Sequence, residues 1–297
     1  MSQPSIDKYA DVAYPRRSGT ATMALLSKVL RYALLLVLAL IFLLPFYIMI
    51  RNSLMTQAEI TDMNQWRWLP EEYQWNNFPT VFEDKSISMA NGLRVSAILA
   101  LVNLIFQTLF ASMAGFALAR IPFRGREIVF SLILLTLMIP GAVTFVPTYV
   151  VVSNLGGINT LWGIVVPGLF SAFTCFLFRQ FYLDFPTEIE EAGRLDGNSY
   201  FGVYWKLLLP NSIGIMAALG VLSFIYSWNA FLWPVIVGQS PGTRTVQVVL
   251  SSYLTAQTID LTRLFAGAVI GAIPLIVIFL LLQRYIVQGV RMSGVKG

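Results

Sequence analysis

The chain has 297 residues, of which 57% are hydrophobic and only 12% charged, with a net charge of +5 and a mean hydropathy of +0.70. A soluble domain is about half apolar and about a quarter charged, so this balance excludes an ordinary soluble enzyme and points to a chain whose solvent is largely lipid. There is no histidine and a single cysteine, Cys175, which removes the usual general base, the commonest metal ligand and any intrachain disulfide.

Residues 1–28 are polar and read as a flexible cytoplasmic tail. The Arg16-Arg17 pair hints at a twin-arginine signal, but the apolar run behind it is too long and ends without a small-residue cleavage site. An uncleaved first span is expected. A hydrocarbon core about 30 Å thick takes about 20 apolar residues of helix to cross. Six stretches meet that test: 32–50, 95–119, 128–152, 161–178, 213–237 and 264–282. A membrane β-barrel would alternate apolar and polar residues, whereas these runs are solidly apolar. The expected fold is therefore all-α, with six transmembrane helices in one membrane domain over 29–297.

The basic residues sit at the ends of the apolar runs rather than in one patch, so the net charge orients the chain in a membrane and does not point to nucleic acid. With the N-terminus inside, fourteen of the 20 Lys and Arg fall on the inner side and six on the outer. That excess predicts both termini in the cytoplasm. Pro45, Pro140 with Pro147, Pro167, Pro234 and Pro274 interrupt five of the spans. They predict either bent helices around a path or the ordinary proline content of membrane helices. In the outer loop between the first two spans, Trp66, Trp68, Tyr73 and Trp75 read as an interfacial belt or as part of a docking surface.

The one long polar stretch expected on the cytoplasmic side between spans is 184–210. Thr187 and Glu190 have the spacing of a capping box, and Glu188, Glu190 and Glu191 crowd a first helical turn where the dipole favours negative charge. Glu190 and Arg194 stand four apart in the favourable order, and Gly197 is placed for a left-handed cap. Ser199 can start a second helix that Pro210 ends. Ala192 and Gly193, nearly without side chains, would let another protein approach the backbone closely. On spacing alone, this is either a mechanical coupling element or a well-capped interfacial loop.

Glu191-Ala192-Gly193, three residues, Gly197, nine residues, Leu207, one residue and Leu209-Pro210 resemble the EAA loop of binding-protein-dependent ABC importer permeases. Gly193 for alanine and Leu207 for isoleucine are the departures. Ala114–Arg120, Met138-Ile139-Pro140, Arg179-Gln180-Phe181, Trp228–Pro234 and the terminal Gly294–Gly297 are similar to its carbohydrate-uptake, MalG-type branch. The likeness runs from about Leu93 onward and includes the first span. It implies a multi-pass subunit of a bacterial or archaeal cytoplasmic membrane, working with a homologous second permease, an ATPase dimer and an extracytoplasmic solute-binding protein that delivers a carbohydrate.

No phosphate-binding Gly-x-x-x-x-Gly-Lys-Ser/Thr loop occurs in the sequence. ATP and Mg are therefore expected on the partner ATPase, with no catalytic residue, metal site or cofactor on this chain. The residues implied in coupling are Glu188, Glu190, Glu191, Ala192, Gly193, Asp196 and Gly197. Asn103, Gln107, Thr174, Tyr226, Trp228 and Asn229 either line a pathway or bond helix to helix. Gln239, Ser240, Pro241, Gly242 and Thr243 form either a plain hairpin or the loop that, in maltose-type relatives, reaches into the binding protein. A secondary transporter and a non-transport membrane assembly subunit are the rivals. The first would place ionisable residues inside spans, of which the six stretches contain none in their interiors, and the second would not explain the motif.

Overall fold

The computed structural model describes residues 19–62, 64–83, 88–255 and 259–294. The first part of the expected tail with Arg16-Arg17, Lys85, and the terminal Val295, Lys296 and Gly297 lie outside them. The chain divides into two compact units, Met1–Met49 and Ile50–Gly297. In the first runs most of α1 (Gly19–Ser53), which begins inside the stretch assigned to the tail and carries Pro45 without breaking. One proline removes one donor from the helical ladder, and a long helix retains the rest.

The second unit is a succession of helices: α2 (Gln57–Thr61), α3 (Asn77–Glu83), α4 (Met89–Val102) and α5 (Thr108–Arg120), the last two joined through a π-helical turn at Asn103–Gln107. Next come α6 (Arg126–Leu137), α7 (Gly141–Asn154), α8 (Leu161–Val165) with a 3₁₀ turn at Val166–Gly168, and α9 (Ala172–Leu183). A hairpin follows, made of α10 (Thr187–Leu195), α11 (Tyr200–Val203), a π turn at Tyr204–Leu208 and α12 (Leu209–Asn211). The chain ends with α13 (Ile213–Trp228), α14 (Leu232–Val237), α15 (Val246–Ser251) and α16 (Leu261–Gly294). Among the described residues there is no strand, only an isolated bridge between Leu254 and Ile259.

Three helices are long and apolar enough to cross a membrane unaided: Leu25–Ser53, Met89–Arg120 and Leu261–Gln283. Six crossings are reached when three bent pairs each count as one, which takes up the bent-helix reading of the prolines. The stretch expected as the third span turns by 101° between α6 and α7. There Pro140, with φ −58° and ψ 133°, caps α7 in an extended conformation and biases Ile139 away from the helix. The fourth bends by 42° before α9, where Ser171 is extended and its hydroxyl accepts from Thr174 N–H. The fifth stops at Trp228. Asn229 ends α13, and Pro234 sits in the first turn of α14, where its missing donor costs little.

In lipid there is no hydrophobic drive between helices, so close packing and interhelical bonds must hold the bundle. One such close approach is between α5 and α9. Ala111, Gly115 and Ala119, four apart on α5, are all buried. A Cβ added at Gly115 would lie 2.6 Å from Phe178 Cβ and 2.8 Å from the Arg179 amide nitrogen. One apolar core gathers Phe116, Phe178, Tyr182, Val203, Tyr204 and Leu208 around α5, α9 and the hairpin. A second joins Val81, Met89, Phe224, Trp228, Val249 and Ala266, from α3, α4, α13, α15 and α16.

Candidate functional site

The hairpin 184–211 begins one residue earlier than a capping box would allow. Pro186 holds the cap position, without a side-chain bond, and Thr187 is already helical. The Glu190 carboxylate does not turn back to close a box; it points inward, 3.7 Å from the Arg120 guanidinium, with both side chains only 11% exposed. The same pairing takes Glu190 away from the expected partner Arg194. Arg194 instead lies over the Tyr200 ring, 4.5 Å from its centroid, and donates to the Tyr200 hydroxyl at 3.0 Å.

The end of α10 is as the sequence predicts. Gly197 has φ +82°, its N–H donates to Arg194 O at 3.0 Å, and Asn198 N–H donates to Gly193 O at 3.1 Å. This pair of bonds is the Schellman motif, which a residue with a Cβ closes at a cost. Asn198 does more than its sequence position suggested: its Nδ2 also reaches Gly193 O at 3.0 Å, while its Oδ1 accepts from Lys206 Nζ at 3.0 Å. The two arms are thereby stapled. Ser199 caps α11 through Gly202 N–H, as expected.

Pro210 does not end the second arm, which runs on to Asn211. Pro210 has no N–H to offer the carbonyl four residues back, and just before it the ladder slips to π spacing, with Leu209 N–H bonded to Tyr204 O. The chain then turns by 79° into α13.

Gly193 also needs correction. It faces into the hairpin, not outward, and a Cβ there would lie 2.3 Å from Leu207 Cδ1 and 3.5 Å from Val203 Cγ2. Its small size lets the two arms close on each other. The surface of α10 and its cap is left to Thr187, Glu188, Ile189, Glu191, Ala192, Arg194, Asp196 and Gly197, with Leu195 standing out at 89% exposure. The result is a largely acidic face with two apolar side chains, Ile189 and Leu195, of which Leu195 projects furthest.

This hairpin is bound to the base of α5 by bonds that join residues far apart in sequence. Arg120 donates from Nε to Tyr182 O at 2.9 Å and from Nη2 to Phe185 O, besides facing Glu190. Ser112 Oγ is 2.7 Å from the Tyr182 hydroxyl and accepts from the Tyr204 hydroxyl at 3.0 Å, with all three residues buried. Phe116 packs between the two tyrosine rings, at 5.9 and 5.2 Å. Beside it, Arg179 holds both Glu127 oxygens at 3.0 Å, donates to Leu118 O and lies 3.9 Å over the Phe130 ring. None of these partners follows from local sequence patterns. The Ala-x-x-x-Gly-x-x-x-Ala spacing of 111–119 is the signal that marks α5 as a packing helix.

The residues that could line a pathway separate into two groups. Asn103 donates to Ser227 Oγ at 3.0 Å, Gln107 donates to Gly168 O at 2.9 Å and accepts from Ser223, and Trp228 Nε1 donates to Gly271 O at 3.0 Å. These are bonds between segments. Thr174 is buried near the start of α9, and Asn229 accepts from Gln247 at 3.3 Å while donating to Ile225 O. Tyr226 alone of the set projects strongly, at 81% exposure.

Of the 239–243 loop, Gln239, Pro241 and Gly242 are exposed and Thr243 is buried. The loop is tied down by Asn159, whose Oδ1 accepts from Ser240 N–H at 2.8 Å, and by Asn91, which donates to Pro241 O at 2.7 Å. Ser240 and Thr243 hydroxyls are 2.9 Å apart.

Comparison with known proteins agrees with this architecture. Residues 107–292 match the family described as binding-protein-dependent transport system inner membrane component. The chain is 32% identical to the arabinooligosaccharides transport system permease protein AraQ of Bacillus subtilis, over 88% of this chain and 93% of that one. It is 28% identical to the sn-glycerol-3-phosphate transport system permease protein UgpE of Yersinia enterocolitica, over 87% and 94%. In fold it is similar to a chain of a bacterial ABC transporter involved in the import of the acidic polysaccharide alginate, with a TM-score of 0.78 and 21% identity, covering 88% of this chain and 96% of that one. A matched stretch that takes in the hairpin, its anchor helix α5 and most of α16 leaves one conclusion: this chain belongs to the binding-protein-dependent inner membrane components, the multi-pass permease subunits of ABC importers.

Proposed function

We propose that the chain, with a second permease, forms the membrane pathway for a carbohydrate delivered by a solute-binding protein, and that the 184–211 hairpin lies on the cytoplasmic side and docks in a separate ATPase. The relatives named for arabinooligosaccharides, lactose and sn-glycerol-3-phosphate support a sugar or polyol-type substrate. The excess of Lys and Arg at one set of span ends supports the orientation.

The observation that carries the reading is the hairpin itself. It is short and closed by a glycine cap, with Glu190 and Gly193 turned inward and a largely acidic face, with Ile189 and Leu195, turned outward. A partner groove with basic residues and an apolar pocket for Leu195 is its complement. Closure of two ATPase subunits around ATP and Mg would displace such brackets as rigid bodies and tilt the helices bonded to them. The sequence holds no phosphate loop of its own, so the free energy comes from the partner.

The test is uptake of labelled arabinooligosaccharides, lactose and sn-glycerol-3-phosphate into proteoliposomes holding the complete complex, with binding protein supplied outside. ATP-dependent uptake of at least one sugar or polyol, abolished by omitting the binding protein, is the expected result. Uptake driven by an ion gradient without ATP would identify a secondary transporter and overturn the reading.

A further inference from the structure

We infer that Arg120 is the positioning residue through which movement of the hairpin reaches the helix Met89–Arg120, independently of the covalent connections at either end of the hairpin. The inference rests on the proposed coupling role of that hairpin. By chain connectivity, α10 is joined to α9 on one side and, through its second arm, to α13 on the other. The helix Met89–Arg120 has no covalent link to either, yet its last residue grips the hairpin's entry.

The grip is specific. One guanidinium donates to Tyr182 O at the end of α9 and to Phe185 O in the connection, and faces the Glu190 carboxylate on α10. Arg120 and Glu190 are largely removed from solvent, each 11% exposed, so water screens the charge little. A rigid fork with five N–H donors can reach two carbonyls while its charge faces a carboxylate; a lysine in the same place is a single point charge. The neighbouring Arg179 does not duplicate it, since its partners are Glu127, Leu118 O and the Phe130 ring, none of them in the hairpin. The Ser112 link to Tyr204 holds the second arm, not α10. Arg120 is thus the polar bridge by which a push on α10 becomes a pull on the base of Met89–Arg120, whose middle carries Asn103 and Gln107 in their π turn.

The experiment measures sugar transported per ATP hydrolysed in proteoliposomes of the complete complex, comparing wild type with Arg120→Gln, Arg120→Lys and Glu190→Gln. Charge-assisted bonds of this kind are the strong ones, and losing the fork should lower the transport-to-hydrolysis ratio by about tenfold in Arg120→Gln while the ATPase still co-purifies. Arg120→Lys should fall between that and wild type. Glu190→Gln should have the smallest effect, because both carbonyl contacts remain. A purely structural role would lower hydrolysis and transport together and leave their ratio at the wild-type value, which would overturn the inference. Should Arg120→Gln fail to assemble, the two milder variants decide: wild-type ratios in both would also overturn it. A wild-type complex that shows no ATP-dependent uptake at all would strike the proposed function instead.

Discussion

The base and the middle of the helix pair α4–α5 are held by different chemistry. At the base Arg120 donates to the Tyr182 and Phe185 carbonyls and faces the Glu190 carboxylate, and Gly115 lets α9 come into backbone contact. At the π turn, Asn103 and Gln107 make neutral bonds to Ser227, Ser223 and Gly168 O. Asn103 Oδ1 and Thr108 Oγ1 there are buried without a partner. Charge-assisted bonds are roughly twice as strong as neutral ones, and a π turn is a local departure from the regular ladder often found at functional sites. The difference teaches where this helix can move: its base goes with the hairpin, while its middle is the place that can yield.

Four substitutions or conditions break or sharpen that contrast. The largest effect belongs to Gly115→Val, because its Cβ would meet the backbone nitrogen of Arg179, which cannot swing aside as a side chain can. Overpacking there should cost about 3 kcal/mol, read as loss of folded, monodisperse protein in detergent. Next is Gly197→Val, which forces a β-branched residue to φ +82°. It should cost about 1–2 kcal/mol and uncouple transport, whereas Gly197→Asn, which tolerates that region, should lose much less.

Gln107→Leu removes the bonds to Ser223 and Gly168 O. Neutral bonds within membrane bundles average about 0.6 kcal/mol, so the expected change is a small shift in thermal midpoint with transport-to-hydrolysis coupling retained. The smallest effect lies outside both regions, in α2. The Glu59 carboxylate accepts from Thr56 N–H at 2.8 Å and from Glu71 N–H at 3.0 Å. Burial pushes its pKa up, but these bonds win and hold it below the ordinary value of 4.5. A depressed carboxylate stabilises the fold above its unfolded pKa and loses that contribution as pH falls through the folded one. The protection factor of the Glu71 amide should therefore fall only below pH 4.5, and Glu59→Gln should remove that loss.

What the sequence reveals and what it hides divide by distance along the chain. Gly197 and Ser199 could be assigned their caps because each acts on residues within a few positions. The membrane segments could be placed because hydropathy is a bulk property, yet the 101° turn at Pro140 could not, since proline in a membrane helix bends it, breaks it or does neither, as Pro45 shows. Glu190 misled for the opposite reason. Its local partners Thr187 and Arg194 are plausible on a helix taken alone, and only the fold brings Arg120 within 3.7 Å. Gly193 likewise looks like an open face until Leu207 closes over it. Short-range signals held where nothing distant competed with them.

The most direct test uses the single native thiol to advantage. Cys175 is buried, so in a Cys175→Ser background the variant Ala192→Cys places one reactive group on the exposed face of α10. In whole cells holding the complex, that thiol should resist a membrane-impermeant maleimide added outside and should crosslink to the ATPase subunit through a short bifunctional reagent. Labelling from outside, with no crosslink to the ATPase, would contradict the account.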